Sequence, residues 1–213
     1  FPLPFCYMLH FLGDVSIPSV VTYHPDIGRQ KYLLPFYVPL MKGFFSRVDC
    51  IVATSTQYAN SSQLLSGQTI KPRVIPIGID ENTFPEVSNN TLAEVRLKFG
   101  EDYFLFVGVL RYYKGLDVLL DAAISGHFKL VIAGSGPELS RLNEKYDFEK
   151  IPQVQFAGHV SEETKMALYK VCKAVVFPSF SRAEAFGVTL REGAMMSKPL
   201  ISGSPESGSS YVN

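Results

Sequence analysis

No apolar run in this 213-residue chain is 18 residues long, so nothing in it reads as a membrane-spanning helix, which needs about 20. Net charge is also missing. Twenty Lys and Arg balance twenty Asp and Glu, and a neutral chain lacks the basic footprint of a dedicated nucleic-acid binder. Cysteine is scarce: Cys6, Cys50 and Cys172 are odd in number and show no Cys-x-x-Cys spacing. They read as reduced thiols or small core residues of a cytosolic protein, not as a disulfide framework. No Asp-x-Asp occurs, and no His/Cys cluster has metal-ligand spacing, so no essential metal is expected. The chain starts at Phe1 without a signal-peptide pattern and stops at Asn213 after a Gly/Ser loop. A further strand and helix are expected there, so the chain reads as an internal piece of a longer protein.

What is present suits an α/β protein. The chain is 46% hydrophobic and 19% charged, enough for one or two cores. Strands are expected at Pro18–Tyr23, Cys50–Thr54 and Arg73–Ile77, then at Tyr103–Val107, Phe128–Ile132, Val154–Phe156, Ala174–Phe177 and Leu200–Ile201. Helical patterns lie between them. That alternation predicts parallel, doubly wound sheets. Ser55 is placed to cap a helix running to about Leu65, and Ser161 to cap another, with Glu162 and Glu163 in its first turn. Residues 81–90, with Asn, Ser and Pro85, read as a linker, which divides the chain into 1–83 and 84–213. Residues 29–47 carry Tyr, Phe, Leu and Met, with Pro35, Pro39 and Gly43 expected to interrupt any long helix. They read as helices packed on a sheet. The alternative is a basic amphipathic surface in peripheral contact with the inner face of a membrane. Six Lys and Arg against five Asp and Glu in residues 1–83 give that surface little electrostatic pull.

Residues 174–201 concentrate the chemistry. The run Ala174-Val175-Val176-Phe177 ends at Pro178 and reads as a buried parallel strand. A helix is expected from Gly187 until Lys198-Pro199 stops it. Ligands of open α/β sheets bind beyond the carboxyl ends of strands, so Glu184 lies at the ligand edge. The helix N-terminus at Gly187 can hold a pyrophosphate. Glu192, more than a turn into the helix, can accept two hydrogen bonds from a ribose diol. The plainer alternative is that both Glu residues are solvated charges, as Glu usually is.

The whole string, Phe177-Pro178-Ser179, then Glu184-Ala185-Phe186-Gly187, then Glu192 with Lys198-Pro199-Leu200-Ile201, resembles the E-x7-E signature of retaining GT-B glycosyltransferases of family 4. Arg191 and Gly193 stand where that family carries an apolar residue and Ala. The resemblance runs from about Val20 to Asn213. It implies two Rossmann-like domains, both incomplete here: the end of an acceptor-side domain in 1–83 and most of a nucleotide-sugar domain in 84–213. It implies that Glu184 contacts the donor sugar, that Glu192 binds the ribose, and that backbone around Phe186 and Gly187 meets the donor.

The same resemblance extends to other segments. His24-Pro25-Asp26-Ile27 looks like a His-Ser-Asp-Ile segment whose His lies in the cleft near sugar and phosphate; here Pro25 replaces Ser. Ile77-Gly78-Ile79-Asp80 looks like the segment that closes the first domain. In Gly108-Val109-Leu110-Arg111-Tyr112-Tyr113-Lys114-Gly115, Lys114 matches a phosphate-binding Lys. Val109 occupies the position that commonly holds Arg, and Arg111 is the nearest substitute. The loop Gly134-Ser135-Gly136-Pro137 lacks the third Gly of a dinucleotide fingerprint. By resemblance Gly136 lies near the nucleotide, and the backbone at His159 near the base.

The reaction implied is transfer of a sugar from a nucleotide sugar to an acceptor hydroxyl with retained anomeric configuration, in polysaccharide or glycolipid synthesis. No general base is needed if the leaving phosphate takes the acceptor's proton. The segments look most like bacterial polysaccharide mannosyltransferases, which makes GDP-mannose the expected donor and a saccharide or lipid-linked saccharide the expected acceptor. A nucleotide-sugar epimerase of the same fold, or a catalytically incompetent nucleotide-binding piece, are the alternatives. The expected location is the cytoplasm, with peripheral membrane contact as its extension.

Overall fold

The computed structural model of the chain describes residues 18–23, 34–62, 64–65, 67–180 and 187–203. These form two compact units that divide between Ile77 and Gly78, the second including both 78–180 and 187–203.

The first unit holds a three-stranded parallel sheet of order β1-β2-β3: Val20–Tyr23, Cys50–Ala53 and Arg73–Val74. The third strand is shorter than its apolar pattern, Arg73–Ile77, predicts. Ile75 N still donates to Ala53 O at 2.9 Å, but Pro76 has no N–H to continue the ladder. Helix α1, Leu34–Phe45, contains Pro39 and Gly43, so the predicted interruption does not occur. Pro35 sits in the first turn, where an N–H has no helical partner. Pro39 is tolerated because Met41, Phe44 and Phe45 are buried against Tyr23, Ile51 and Ala53; packing outweighs the local cost. Earlier in the helix, Phe36 is 77% and Leu40 44% exposed. Helix α2, Thr56–Ser61, begins where Ser55 Oγ accepts from Tyr58 N at 3.0 Å. It ends four residues short of Leu65, and Leu64 and Leu65 turn into the core instead. Among the described residues no helix is long and apolar enough to cross a membrane.

The second unit is a five-stranded parallel sheet of order β6-β5-β4-β7-β8, with β4 at Phe104–Val107, β5 at Leu130–Ala133, β6 at Val154–Gly158, β7 at Ala174–Phe177 and β8 at Leu200–Ser202. Helix α3 (Asn89–Phe99) precedes β4; α4 (Leu116–Gly126), α5 (Leu139–Lys145), α6 (Glu162–Val171) and α7 (Val188–Met195) follow in chain order. Side chains alternate between two cores, as strand geometry requires. Leu105, Val131, Ala133 and Val175 face α3 and α6; Phe106, Leu130, Ile132 and Val176 face α4 and α5. Burial on both faces explains why β5 and β7 read as continuous apolar runs.

The chain leaves β4 towards β5 and β6, then returns to place β7 on the other side of β4. The crevice between β4 and β7 at their carboxyl ends is therefore the switch point, where open sheets of this kind bind ligands.

Candidate functional site

Three loops converge at that switch point, and glycines let their backbones touch. A Cβ on Gly134, after β5, would land on the carbonyl of Gly108, after β4; one on Gly136 would lie 2.5 Å from Leu110 O. Leu110 N donates to Ser135 O at 3.0 Å, and Glu138 N to Leu110 O at 3.2 Å. Gly136 thus has a packing reason for being glycine, beside any contact with a ligand. Gly115 adopts φ +70°, and a Cβ there would land on the carbonyl of Pro178, after β7. Ser179 Oγ and Phe180 N both donate to Tyr113 O, at 3.1 and 3.2 Å. The loops after β4 and β7 are thereby clasped.

Lys114 is held by this clasp. It ends a short 3₁₀ turn, Tyr112–Lys114, and α4 begins after it at Leu116. The αL residue Gly115 separates the two elements. The Lys114 side chain is buried, with its ammonium 4.8 Å from the centroid of Phe177 and 5.6 Å from that of Tyr113. A Cβ on Gly108 would lie 3.8 Å from Nζ. Phe177 is the last residue of β7 and Gly108 the first after β4, so the cation lies at the ends of both strands. The flat ring faces offset part of the cost of desolvating it. Arg111, at the start of the 3₁₀ turn, is exposed and makes no capping hydrogen bond through its side chain.

Gly187 has φ +67° and caps α7, as predicted, and Leu190 N donates to its carbonyl at 2.9 Å. The helix start is tied to β4 by Thr189 Oγ1, which donates to Val107 O at 3.1 Å. Its positive dipole end is thus placed beside the end of β4.

Glu192 is not the solvated charge of the plainer alternative. It is 8% exposed. Its Oε1 lies 2.9 Å from Lys165 Nζ, and its Oε2 accepts from Tyr169 OH at 2.8 Å. Lys165 and Tyr169 stand four residues apart on α6, hence on one face. Burial pulls the Lys165 pKa down, but hydrogen bonds and charge from Glu162 and Glu192 outweigh it and leave the pKa above its ordinary value. Burial, then the Glu192 charge, pushes the Tyr169 hydroxyl far up, so it remains a donor. Sequence reading did not single out this pair. The i, i+4 spacing was visible, but nothing local tied it to a carboxylate 27 and 23 residues further on.

His159 is exposed, directly after the αL residue Gly158 that ends edge strand β6. Gly158 O accepts from Gly134 N at 2.7 Å, which joins that loop to the others, while β5 separates β6 from β4. The structure therefore brings Lys114, Gly136, Gly187 and Glu192 to one edge of the second unit, with Arg111 on its exposed rim and His159 one strand further out. His24, Glu184 and Phe186 lie outside the described residues. Among the described residues no group of three or more His, Cys, Asp or Glu lies together as candidate metal ligands.

Residues 88–213 match the model of the family described as glycosyl transferases group 1. The chain is 46% identical over 213 residues to the D-rhamnosyltransferase WbpZ of Pseudomonas aeruginosa, covering 100% of this chain and 56% of that protein. It is 43% identical over 213 residues to O-antigen chain mannosyltransferase C of Escherichia coli, covering 100% of this chain and 57% of that protein. The chain thus spans little more than half the length of these curated relatives. Among solved structures it resembles Anabaena Alr3699/HepE in complex with UDP and glucose, with a TM-score of 0.73 at 19% identity over 98% of this chain and 58% of that one. It also resembles WaaG, a glycosyltransferase involved in lipopolysaccharide biosynthesis, with a TM-score of 0.65 at 16% identity over 92% of this chain and 60% of that one. At such identity the likeness shows the fold, which is part of a GT-B glycosyltransferase.

Proposed function

The chain belongs to the glycosyl transferases group 1 family, and from that premise we propose that its protein is a retaining hexosyltransferase of polysaccharide synthesis that uses a nucleotide-sugar donor. The observation that carries the reading is the buried Lys114 ammonium at the joint ends of β4 and β7. A cation fixed in a low-dielectric crevice stabilises the charge that grows on a departing pyrophosphate far better than one in water. The N-terminus of α7 faces the same charge from the other side, and Glu192 takes the ribose. Residues 84–213 are the nucleotide-sugar side, and residues 1–83 belong to the acceptor side. The acceptor hydroxyl attacks on the face the phosphate leaves and gives it the proton, so the protein's part is positioning and charge stabilisation.

The donor sugar is read from the relatives. Their names specify D-rhamnosyl and mannosyl transfer, and D-rhamnose is 6-deoxymannose. The common element is the manno configuration, which supports GDP-mannose or its 6-deoxy analogue as donor. The acceptor is a saccharide, lipid-linked as polysaccharide intermediates are, reached from the cytoplasmic face of the membrane. The exposed Phe36 and Leu40 of α1 suit peripheral contact there. No metal takes part in the steps as written.

Calorimetric titration of the full-length protein with GDP, UDP, GDP-mannose and UDP-glucose tests the reading, beside a Glu192→Ala variant. Binding of the guanine pair, weakened at least severalfold by Glu192→Ala, is the expected result. A folded protein that binds none of the four contradicts it.

A further inference from the structure

We propose that Lys165 and Tyr169 are positioning residues for ribose recognition, holding the Glu192 carboxylate so that one acceptor site on each oxygen is presented to the vicinal diol. This rests on the reading of Glu192 as the ribose ligand and adds how that carboxylate is prepared before any ligand arrives.

The argument starts from acceptor capacity. An ionised carboxylate offers about four lone-pair sites, two on each oxygen. The structure fills one on Oε1 with Lys165 Nζ at 2.9 Å and one on Oε2 with Tyr169 OH at 2.8 Å. One site per oxygen is left, which matches the two hydroxyls of a cis diol. The Glu192 side chain keeps 10% of its exposure and that of Lys165 keeps 15%, so the group is accessible at one edge only. A long Glu side chain left to itself samples several rotamers and loses that freedom on binding. Here the cost has already been met in folding.

The two donors differ in kind. Lys165 balances the buried charge and is itself steadied by Glu162 at 2.7 Å, whose side chain is 67% exposed. Tyr169 is rigid and fully buried. Its single hydroxyl proton goes to Glu192 at 2.8 Å; Thr189 O stands at 3.4 Å. Since Thr189 also ties α7 to β4, Tyr169 fixes the carboxylate relative to the helix turn that faces the pyrophosphate. Charge comes from one residue and direction from the other, both on the same face of α6.

The test compares affinities for GDP and 2′,3′-dideoxy-GDP, with UDP and its dideoxy analogue in parallel, on the full-length protein. Wild type should prefer the natural nucleotide by roughly tenfold to a hundredfold, the size expected of hydrogen bonds to a charged acceptor. Lys165→Met and Tyr169→Phe should lower that preference to a few-fold or less, with binding of the dideoxy nucleotide left nearly unchanged. Lys165→Arg, which keeps the charge, should restore most of it. A merely structural role would weaken both nucleotides alike and leave their ratio untouched, and that outcome overturns the inference. If Lys165→Met does not fold, Tyr169→Phe, which removes one oxygen and no packing, decides. A wild type that binds both nucleotides equally overturns the ribose role of Glu192 itself. A wild type that discriminates, with variants that discriminate as well, overturns only the positioning role.

Discussion

Lys114 and Glu192 are the two buried charges among the described residues, and the protein accommodates them in different ways. The Lys114 ammonium rests on the ring faces of Phe177 and Tyr113 in a crevice made by close-packed loops. The Glu192 carboxylate sits in a seam between α6 and α7 with a cation on one oxygen and a hydroxyl on the other. Ring faces soften the desolvation of an ammonium. An ion pair with added hydrogen bonds holds its geometry with or without a ligand. The first region sets a cation against ring faces, and the second pairs an anion with two donors.

Substitutions can break that contrast, and the largest expected effect is on turnover. Lys114→Met should lower kcat by about 10²–10³-fold, the cost of removing one preorganised electrostatic contact. Urea unfolding should change less than turnover does, because the apolar Met chain keeps the packing of the Lys stem. Glu192→Ala should behave differently, losing about 2–3 kcal/mol of unfolding free energy as well as nucleotide affinity. It strips Lys165 of its inner partner, and the loss falls below that of a fully buried pair because Glu162 remains. Equal stability of the two variants would erase the distinction.

Gly115→Ala is expected to cost about 1–3 kcal/mol in the same unfolding measurement, since the residue holds a positive φ against the Pro178 carbonyl. Because Gly115 follows Lys114 directly, the variant should also reduce turnover. Preserved turnover would show that the clasp is not what positions the ammonium.

The smallest effect is expected in the first turn of α4, three residues after Lys114. Hydrogen bonds from Arg141, then Lys145, hold the Asp117 carboxyl well below its ordinary value of 3.8. A depressed carboxyl pKa contributes stability above the ordinary value that is lost as pH falls below it. Asp117→Asn should therefore lower stability at pH 7 by under about 1 kcal/mol, given solvent screening. The gap from wild type should close only below pH 3.8. Nucleotide binding should change far less than it does in Lys114→Met.

Most of this contrast was legible from one side only. The strand-helix alternation, the β7 run into Pro178 and the helix start at Gly187 follow from local patterns, and the second unit bears them out. Lys114 was legible through the resemblance of its loop, but its burial was not. Burial depends on Phe177, 63 residues further on, and on glycine contacts that no local signal encodes. Glu192 was legible through the resemblance of the whole 177–201 string, whereas its partners on α6 come from packing between helices. Pro39 within α1 misled for the same reason, since the buried Met41, Phe44 and Phe45 outweighed the local rule.

The central claim is that the Lys114 crevice takes the diphosphate of the nucleotide whose ribose the Glu192 seam holds. Titration of the full-length wild type and Lys114→Met with GDP and GMP tests it most directly. The account predicts that wild type favours GDP strongly over GMP and that Lys114→Met loses most of that preference while its GMP affinity is kept. If Lys114→Met folds and discriminates GDP from GMP as wild type does, Lys114 does not hold the diphosphate and the account is wrong.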